Sequence, residues 1–316
     1  VARNAREALY LVVSRRRVSL EEEDHIPTRQ LQDGGRRSKN QPAHANAYPA
    51  MVTTVDRGRF ELLLLDPTRS HTRISAIKAR QIGRKGVIVG DNVKVIPTSK
   101  DAGRIIAVQP RNTVLRRSAD DSNTREKPIV ANATQLAAVI ATTSPEPNFG
   151  LGERAIIAAI DAKLTPLVIA TKCDLAAPNN LRDYFEALGV EVLTTVKGQN
   201  VDNVAKRLTD QTTVLIGESG VGKSSLVNAL VPAAGRETGH VSSATSFGRH
   251  TSSSVVAFAL PSGGLLIDTP GLRTFGLAHI TVKEFETKAR NRLNTDSEKF
   301  QELLKLVQDL PALRNY

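Results

Sequence analysis

The run over residues 214–225, V-L-I-G-E-S-G-V-G-K-S-S, constrains this chain more than any other stretch. Apolar β-branched residues lead into G-x-x-x-x-G-K-S and a helix-forming segment at 225–230 follows, so strand, glycine-rich turn and helix start stand in the order a phosphate-binding loop requires. Gly217, Gly220 and Gly222 carry no Cβ. They let the backbone curl until successive N–H groups point at phosphate oxygens, and the helix N-terminus adds partial positive charge. Gly217, Glu218, Ser219, Gly220, Val221, Gly222, Lys223, Ser224 and Ser225 are therefore candidate nucleotide-binding residues. Lys223 is the candidate to neutralise the outer phosphates during reaction, and the Ser224 hydroxyl the candidate to ligate Mg2+.

A second motif chooses among nucleotides. Residues 166–170 read as a buried strand that ends in Thr171-Lys172-Cys173-Asp174. A carboxylate there can accept two hydrogen bonds from the N1–H and N2–H2 edge of guanine, a donor pair that adenine lacks, so Asp174 selects GTP while the stem of Lys172 packs on the base. Thr194 and Thr195, after the next strand, fall where a second loop would contact the base. A third motif is the strand 264–267 running into Asp268-Thr269-Pro270-Gly271, where Asp268 can hold Mg2+ through water and the Gly271 N–H can meet the γ-phosphate. The intervening 239–254 is rich in Gly, Ser and Thr, which suits a loop that orders around the γ-phosphate and Mg2+, with Thr251 as metal ligand and Ser252 or Ser253 in reserve.

Around these motifs strands alternate with helices. Strands are expected at 135–141, 166–170, 190–194 and 212–216, and helices at 152–163, 181–188 and 203–208, which implies a parallel sheet covered on both faces. The guanine motif precedes the phosphate loop, the reverse of the order in most G domains, so the expected fold is an α/β P-loop GTPase domain of circularly permuted topology. Such domains tolerate permutation because their termini often lie close together.

A chain of 316 residues exceeds one small core. Residues 1–49 read as a flexible basic arm, 50–110 as a small all-β oligonucleotide-binding-type barrel, 111–130 as a polar connector, 131–276 as the GTPase domain and 277–316 as a helical extension. The barrel expectation rests on five short β-type runs at 51–55, 60–65, 72–76, 92–96 and 103–109. Of the net charge of +11, residues 50–130 carry +8, from 16 Lys and Arg against 8 Asp and Glu, which argues for a polyanionic partner at that segment. Arg57, Arg59, Arg73, Lys78, Arg80, Arg84 and Lys85 are the candidate phosphate contacts, and Phe60 is the only candidate stacking platform. Backbone or shape recognition is therefore expected rather than base reading. The single Cys173 excludes an intrachain disulfide and a cysteine-rich zinc cluster. Without a long apolar run or signal-peptide core, the chain reads as soluble, cytoplasmic and free of the membrane.

On these residues the chain resembles the ribosome-small-subunit-dependent GTPase A family, circularly permuted GTPases with an N-terminal oligonucleotide-binding barrel. The resemblance runs from about Met51 to Leu277 and is carried by A-N-A-T-Q at 131–135, T-K-C-D, G-E-S-G-V-G-K-S-S, G-R-H-T and D-T-P-G-L-R-T-F-G-L. It implies slow GTP hydrolysis stimulated by the 30S subunit, a part in late subunit maturation, rRNA as partner and a monomeric chain. Leu272 follows Gly271 where many GTPases carry the glutamine that orients water, and the resemblance puts His250 in that catalytic role. Two departures stand out. Thr171 replaces the family's usual Asn, which is expected to loosen the loops around the base. The family's zinc-binding domain of three cysteines and a histidine is missing, so no zinc is expected and His279 reads as a surface residue. Instead, capping-box patterns at Thr281–Glu284 and Thr295–Glu298 open two helices, with Phe300, Leu303, Leu304, Val307 and Leu310 forming a core stripe and Pro311 a stop. Two rivals differ in kind: a P-loop ATPase, which has no use for Asp174, and an rRNA-binding assembly factor whose nucleotide site is a weakly hydrolysing switch.

Overall fold

The computed structural model describes residues 46–65, 72–83, 86–117, 126–199, 201–235, 255–269, 277 and 279–310. Most of the N-terminal arm, as well as His250, Thr251, Gly271 and Pro311, lies outside the described residues.

Five strands open the described chain: β1 (Tyr48–Asp56), β2 (Arg59–Leu64), β3 (Arg73–Lys78), β4 (Asn92–Pro97) and β5 (Ala102–Val108). They pair in the order β1-β2-β3-β5-β4, and β4 returns to β1, so the sheet closes on itself as the sequence leads one to expect. Alternate residues point inward, and Val52, Phe60, Leu62, Ile74, Val95 and Ile105 fill the interior. Phe60 is thus 3% exposed and cannot act as a stacking platform.

The stretch 111–130 is not a plain connector. Val114–Arg117 and Lys127–Ala131 form an antiparallel hairpin, β6 and β7, whose Leu115 and Val130 are buried. The charges around these few apolar residues hid the alternation. Arg111 anchors the start of this stretch to the barrel, donating through Nε at 2.6 Å and through a terminal nitrogen at 2.9 Å to the carboxylate of Asp91. Asp91 is fully buried, and a two-pronged charged partner is what makes such a carboxylate tolerable there.

The α/β unit then runs β8 (Gln135–Ala141), α1 (Phe149–Asp161), β9 (Thr165–Thr171), α2 (Asn179–Ala187), β10 (Glu191–Thr194), α3 (Asp202–Leu208), β11 (Thr212–Ile216), α4 (Lys223–Leu230), β12 (Val256–Ala259) and β13 (Leu265–Asp268). Strands β10-β9-β8-β11-β13 are parallel, and β12 adds antiparallel to β13. Every residue of β8 is buried: Leu136, Ala138 and Ile140 join one core, Ala137, Val139 and Ala141 the other, so the sheet is covered on both faces. Strand β12 also meets β1, with Thr54 opposite Val256, and this joint makes barrel and α/β sheet continuous. The register of β1 against β2 shifts between Val52 and Thr54, next to that joint, as at a β-bulge. Met51, Leu63 and Leu265 seal it as a small apolar cluster.

Two helices, α5 (Val282–Ala289) and α6 (Glu298–Asp309), close the described chain. Phe285, Phe300, Leu303, Val307 and Leu310 belong to the core formed with α1 and β8, so the stripe is a packing face. Thr281 caps α5 as expected, accepting from Glu284 N–H, but Ser297 rather than Thr295 caps α6, accepting from Phe300 N–H at 3.1 Å. Both residues suit the position chemically, and the start of the helix decides between them.

His279 is not a surface residue. Its side chain is 10% exposed and its Nε2 lies 3.5 Å from Asp161, which also binds Lys288 at 2.7 Å. Burial alone raises the Asp161 pKa, but the hydrogen bonds and charges of His279 and Lys288 outweigh it and hold the carboxyl below its ordinary range. A folded pKa below the unfolded one contributes stability above the unfolded value, which is lost as pH falls through the folded one. Asp161→Asn is expected to cost about 1 kcal/mol at neutral pH. The gap from wild type should close as denaturation curves are taken below about pH 4. A gap that stays constant down to about pH 2 would contradict this account.

Candidate nucleotide site

The phosphate loop leaves β11 at Ile216. A Cβ on Gly217 would sit 2.7 Å from the Val139 carbonyl oxygen, so only glycine lets the chain pass so close to β8. Gly222 precedes α4 with φ +93°, a left-handed conformation that turns the chain into the helix and leaves the first N–H groups of Lys223 and Ser224 at its free end. Because β11 and β13 are adjacent, with Leu215 opposite Asp268, the two motifs meet. Lys223 Nζ lies 3.2 Å from the Asp268 carboxylate and donates to the Thr269 carbonyl at 3.2 Å, while the Thr269 hydroxyl donates to Leu215 O at 2.6 Å. The Asp268 side chain is 3% exposed.

Thr171 does not leave the base loop untethered. Its hydroxyl donates to the carbonyl of Val221 in the phosphate loop, so the shorter side chain still ties the two motifs together. Lys172 has φ +58° and donates to the Ser144 carbonyl, while its own carbonyl accepts from the Thr142 hydroxyl at 2.8 Å. The Cys173 N–H donates to Thr195 O at 3.3 Å and the Thr195 N–H to Ala170 O at 2.8 Å, which stitches the loops after β9 and β10 side by side and leaves Asp174 exposed at the tip. Burial pushes the Cys173 thiol pKa up, so this cysteine stays protonated at neutral pH. A hollow of about 250 Å³ beside these loops is lined by Thr194, Thr195, Val196, Gln199, Asp202 and Asn203.

The sequence does not point to the loop 142–148, between β8 and α1, yet it touches both motifs. Thr142 and Ser144 hold Lys172, the Pro145 ring lies 3.9 Å from where a Cβ on Gly220 would be, and Asn148 reaches Glu218. The one signal within reach was Asn148 as an N-cap before an apolar helix.

Of the barrel cations, Arg57, Arg59, Arg73 and Arg80 are exposed, Lys78 donates to Gly83 O, and Arg84 and Lys85 lie outside the described residues. Arg59 pairs with Ile77 and Arg73 with Leu63, so these two arginines stand roughly 13 Å apart along the hairpin. Arg104, missed in the sequence, pairs with Ile77 on its other side, and Ile77 is 52% exposed. Among the described residues no cluster of three or more His, Cys, Asp or Glu could hold a metal, and no helix is long and apolar enough to cross a membrane.

Parallel strands carrying T-K-C-D ahead of the phosphate loop, on a sheet continuous with a closed barrel, define a circularly permuted P-loop protein. The chain belongs to the RsgA GTPase family, whose model matches residues 108–278. It is 38% identical over 204 residues to the small ribosomal subunit biogenesis GTPase RsgA of Nitrosomonas europaea, covering 62% of this chain and 64% of that one. The Vibrio cholerae protein of the same name is 35% identical over 221 residues, covering 66% and 56%. The chain thus spans less than two thirds of the length of these curated relatives. Its fold is similar to the crystal structure of YloQ, a circularly permuted GTPase, with a TM-score of 0.62 and 19% identity over 87% of this chain and 98% of that one. It is also similar to YjeQ from Thermotoga maritima, with a TM-score of 0.57 and 19% identity over 85% and 95%.

Proposed function

We propose that this chain hydrolyses GTP, and that it does so on the small ribosomal subunit, assisting late maturation with hydrolysis stimulated by the subunit. The observation that carries the nucleotide half is the meeting of Lys223, Asp268 and the Gly217–Gly222 turn at one end of the sheet, with the base loop tied to it through Thr171 and Val221. Asp174 selects guanine, and Thr194 and Thr195 flank the base. Ser224 and the buried Asp268 suit Mg2+, Asp268 through water, and Thr251 and Gly271 complete the γ-phosphate side. Bound Mg2+ supplies charge neutralisation at the β- and γ-phosphates. Within the chain, Lys223 shares that task and His250 orients the attacking water. The subunit half rests on the names of the relatives and on the +8 charge of residues 50–130. Arg57, Arg59, Arg73, Lys78, Arg80, Arg84 and Lys85 contact the rRNA backbone, and the chain works as a cytoplasmic monomer.

Hydrolysis of GTP and of ATP, each measured with and without purified small subunits, tests the proposal. GTP turnover that rises with subunits, set against negligible ATP turnover, is the expected result. His250→Ala should keep GTP binding and lose about 100-fold of the stimulated rate. Equal turnover of ATP and GTP would move the chain to the ATPase class, and tight GTP binding with no turnover under any condition would leave it a binding factor.

A further inference from the structure

Asn148 uses its amide twice. Oδ1 accepts from the Leu151 N–H at 2.8 Å and caps α1, and Nδ2 donates at 2.8 Å to Oε1 of Glu218. The cap fixes which way the amide faces, because only its oxygen can satisfy an N–H, so its NH2 edge is committed to Glu218. Glu218 is the one acidic residue of the phosphate loop 217–225. That loop works by gathering N–H donors around an anion, and a free carboxylate within it repels the phosphates and competes for the same donors. Pro145 of the same loop lies near Gly220, 3.9 Å from where a Cβ there would be, so the loop 142–148 runs beside the phosphate loop as well as bonding to it.

We propose that Asn148 is a positioning residue for nucleotide binding: it clamps the Glu218 carboxylate to the N-terminus of α1 and so keeps it from the phosphates. This rests on the reading of residues 217–225 as the phosphate site of a guanine nucleotide. The clamp acts on where the loop sits, so it governs affinity and KM and leaves kcat largely alone.

Asn148→Asp separates the two uses of the amide. An aspartate still caps α1 but offers no donor to Glu218 and sets one carboxylate against another. In the full chain, the Kd for GDP and for a non-hydrolysable GTP analogue, measured by calorimetry, should rise about tenfold, and KM for GTP with it. The change in kcat should stay within about twofold. The thermal midpoint should stay close to wild type. In Asn148→Asp combined with Glu218→Gln, the glutamine amide donates to the introduced aspartate in place of the lost bond, and affinity should return to within about threefold of wild type. Asn148→Ser, which caps but is too short to reach Glu218, should weaken binding in the same way and serves if the aspartate variant does not fold. Wild-type affinity in Asn148→Asp, or equal weakness in the single and double variants, overturns the clamp. A wild-type chain that binds ATP and no guanine nucleotide overturns the underlying reading instead.

Discussion

Lys223→Ala is expected to reduce kcat/KM for GTP by about 10³ or more, the cost of deleting a preorganised charge at the transferring phosphate. The same substitution should also destabilise the fold. Lys223 is 10% exposed and its ammonium lies 3.2 Å from the Asp268 carboxylate, which is 3% exposed, so the variant removes the cation that faces a buried negative charge. Removing one partner of a buried pair is destabilising, by up to about 3–5 kcal/mol where nothing else compensates the remaining charge. The two effects can be separated. Asp268→Asn in the Lys223→Ala background removes the buried charge itself, so the melting temperature should rise toward wild type while activity stays lost. Arginine is no substitute, because a planar fork does not fit where a compact ammonium bonds one carbonyl and one carboxylate. GTP binding by Lys223→Ala at wild-type affinity would show that the loop does not hold phosphate in this way.

What was legible in the sequence was what chemistry demands of residue types at fixed spacing. The phosphate loop, T-K-C-D and the Asp268 motif stood out because few sequences place those residue types at that spacing, and the fold brings Lys223 to Asp268 and Thr171 to Val221. Strands β8 and β11 were readable to the residue, since their apolar runs 136–141 and 214–216 are buried on both faces and follow Gln135 and the β-branched pair Thr212-Thr213. Strand β12 was overlooked because four residues between a polar loop and Pro261-Ser262-Gly263 make a weak signal, yet β12 joins the two sheets. Its importance comes from Thr54, far away in the chain. The same distance hides Asp161 from His279, Val221 from Thr171 and Glu218 from Asn148. Spacing along a chain reports local structure, whereas these pairs exist only because the fold brings segments from separate crossovers together, as parallel strands bring their loops to one end of the sheet. The tie that Thr171 makes to Val221 was out of sight for a related reason. A shorter side chain reads as a lost tie until the backbone is seen to pass within reach of it.

Asp174→Asn is expected to turn the base preference from guanine toward xanthine. Guanine offers two donors, N1–H and N2–H2, and a carboxylate accepts both. Asparagine offers one acceptor and one donor, which match the N1–H and the 2-carbonyl of xanthine. A site built for a specific donor pair rejects a mismatched one strongly, so GTP affinity should fall by about 10³ while XTP gains. The fold should not suffer, because Asp174 is exposed at the loop tip and its neighbours are held by backbone bonds from Cys173 to Thr195 and from Thr195 to Ala170. An unchanged melting temperature beside an inverted GTP-to-XTP ratio, read from competition binding, would tie selectivity to this one carboxylate. GTP and XTP bound alike by the wild type, and unchanged by the substitution, would instead assign the choice of base to the loop where the backbone and hydroxyls of Thr194 and Thr195 border the hollow. The two outcomes differ in mechanism: a carboxylate reads the donor edge of guanine, whereas a backbone N–H in that second loop would read its O6 acceptor, which xanthine shares. Only the first mechanism distinguishes GTP from XTP.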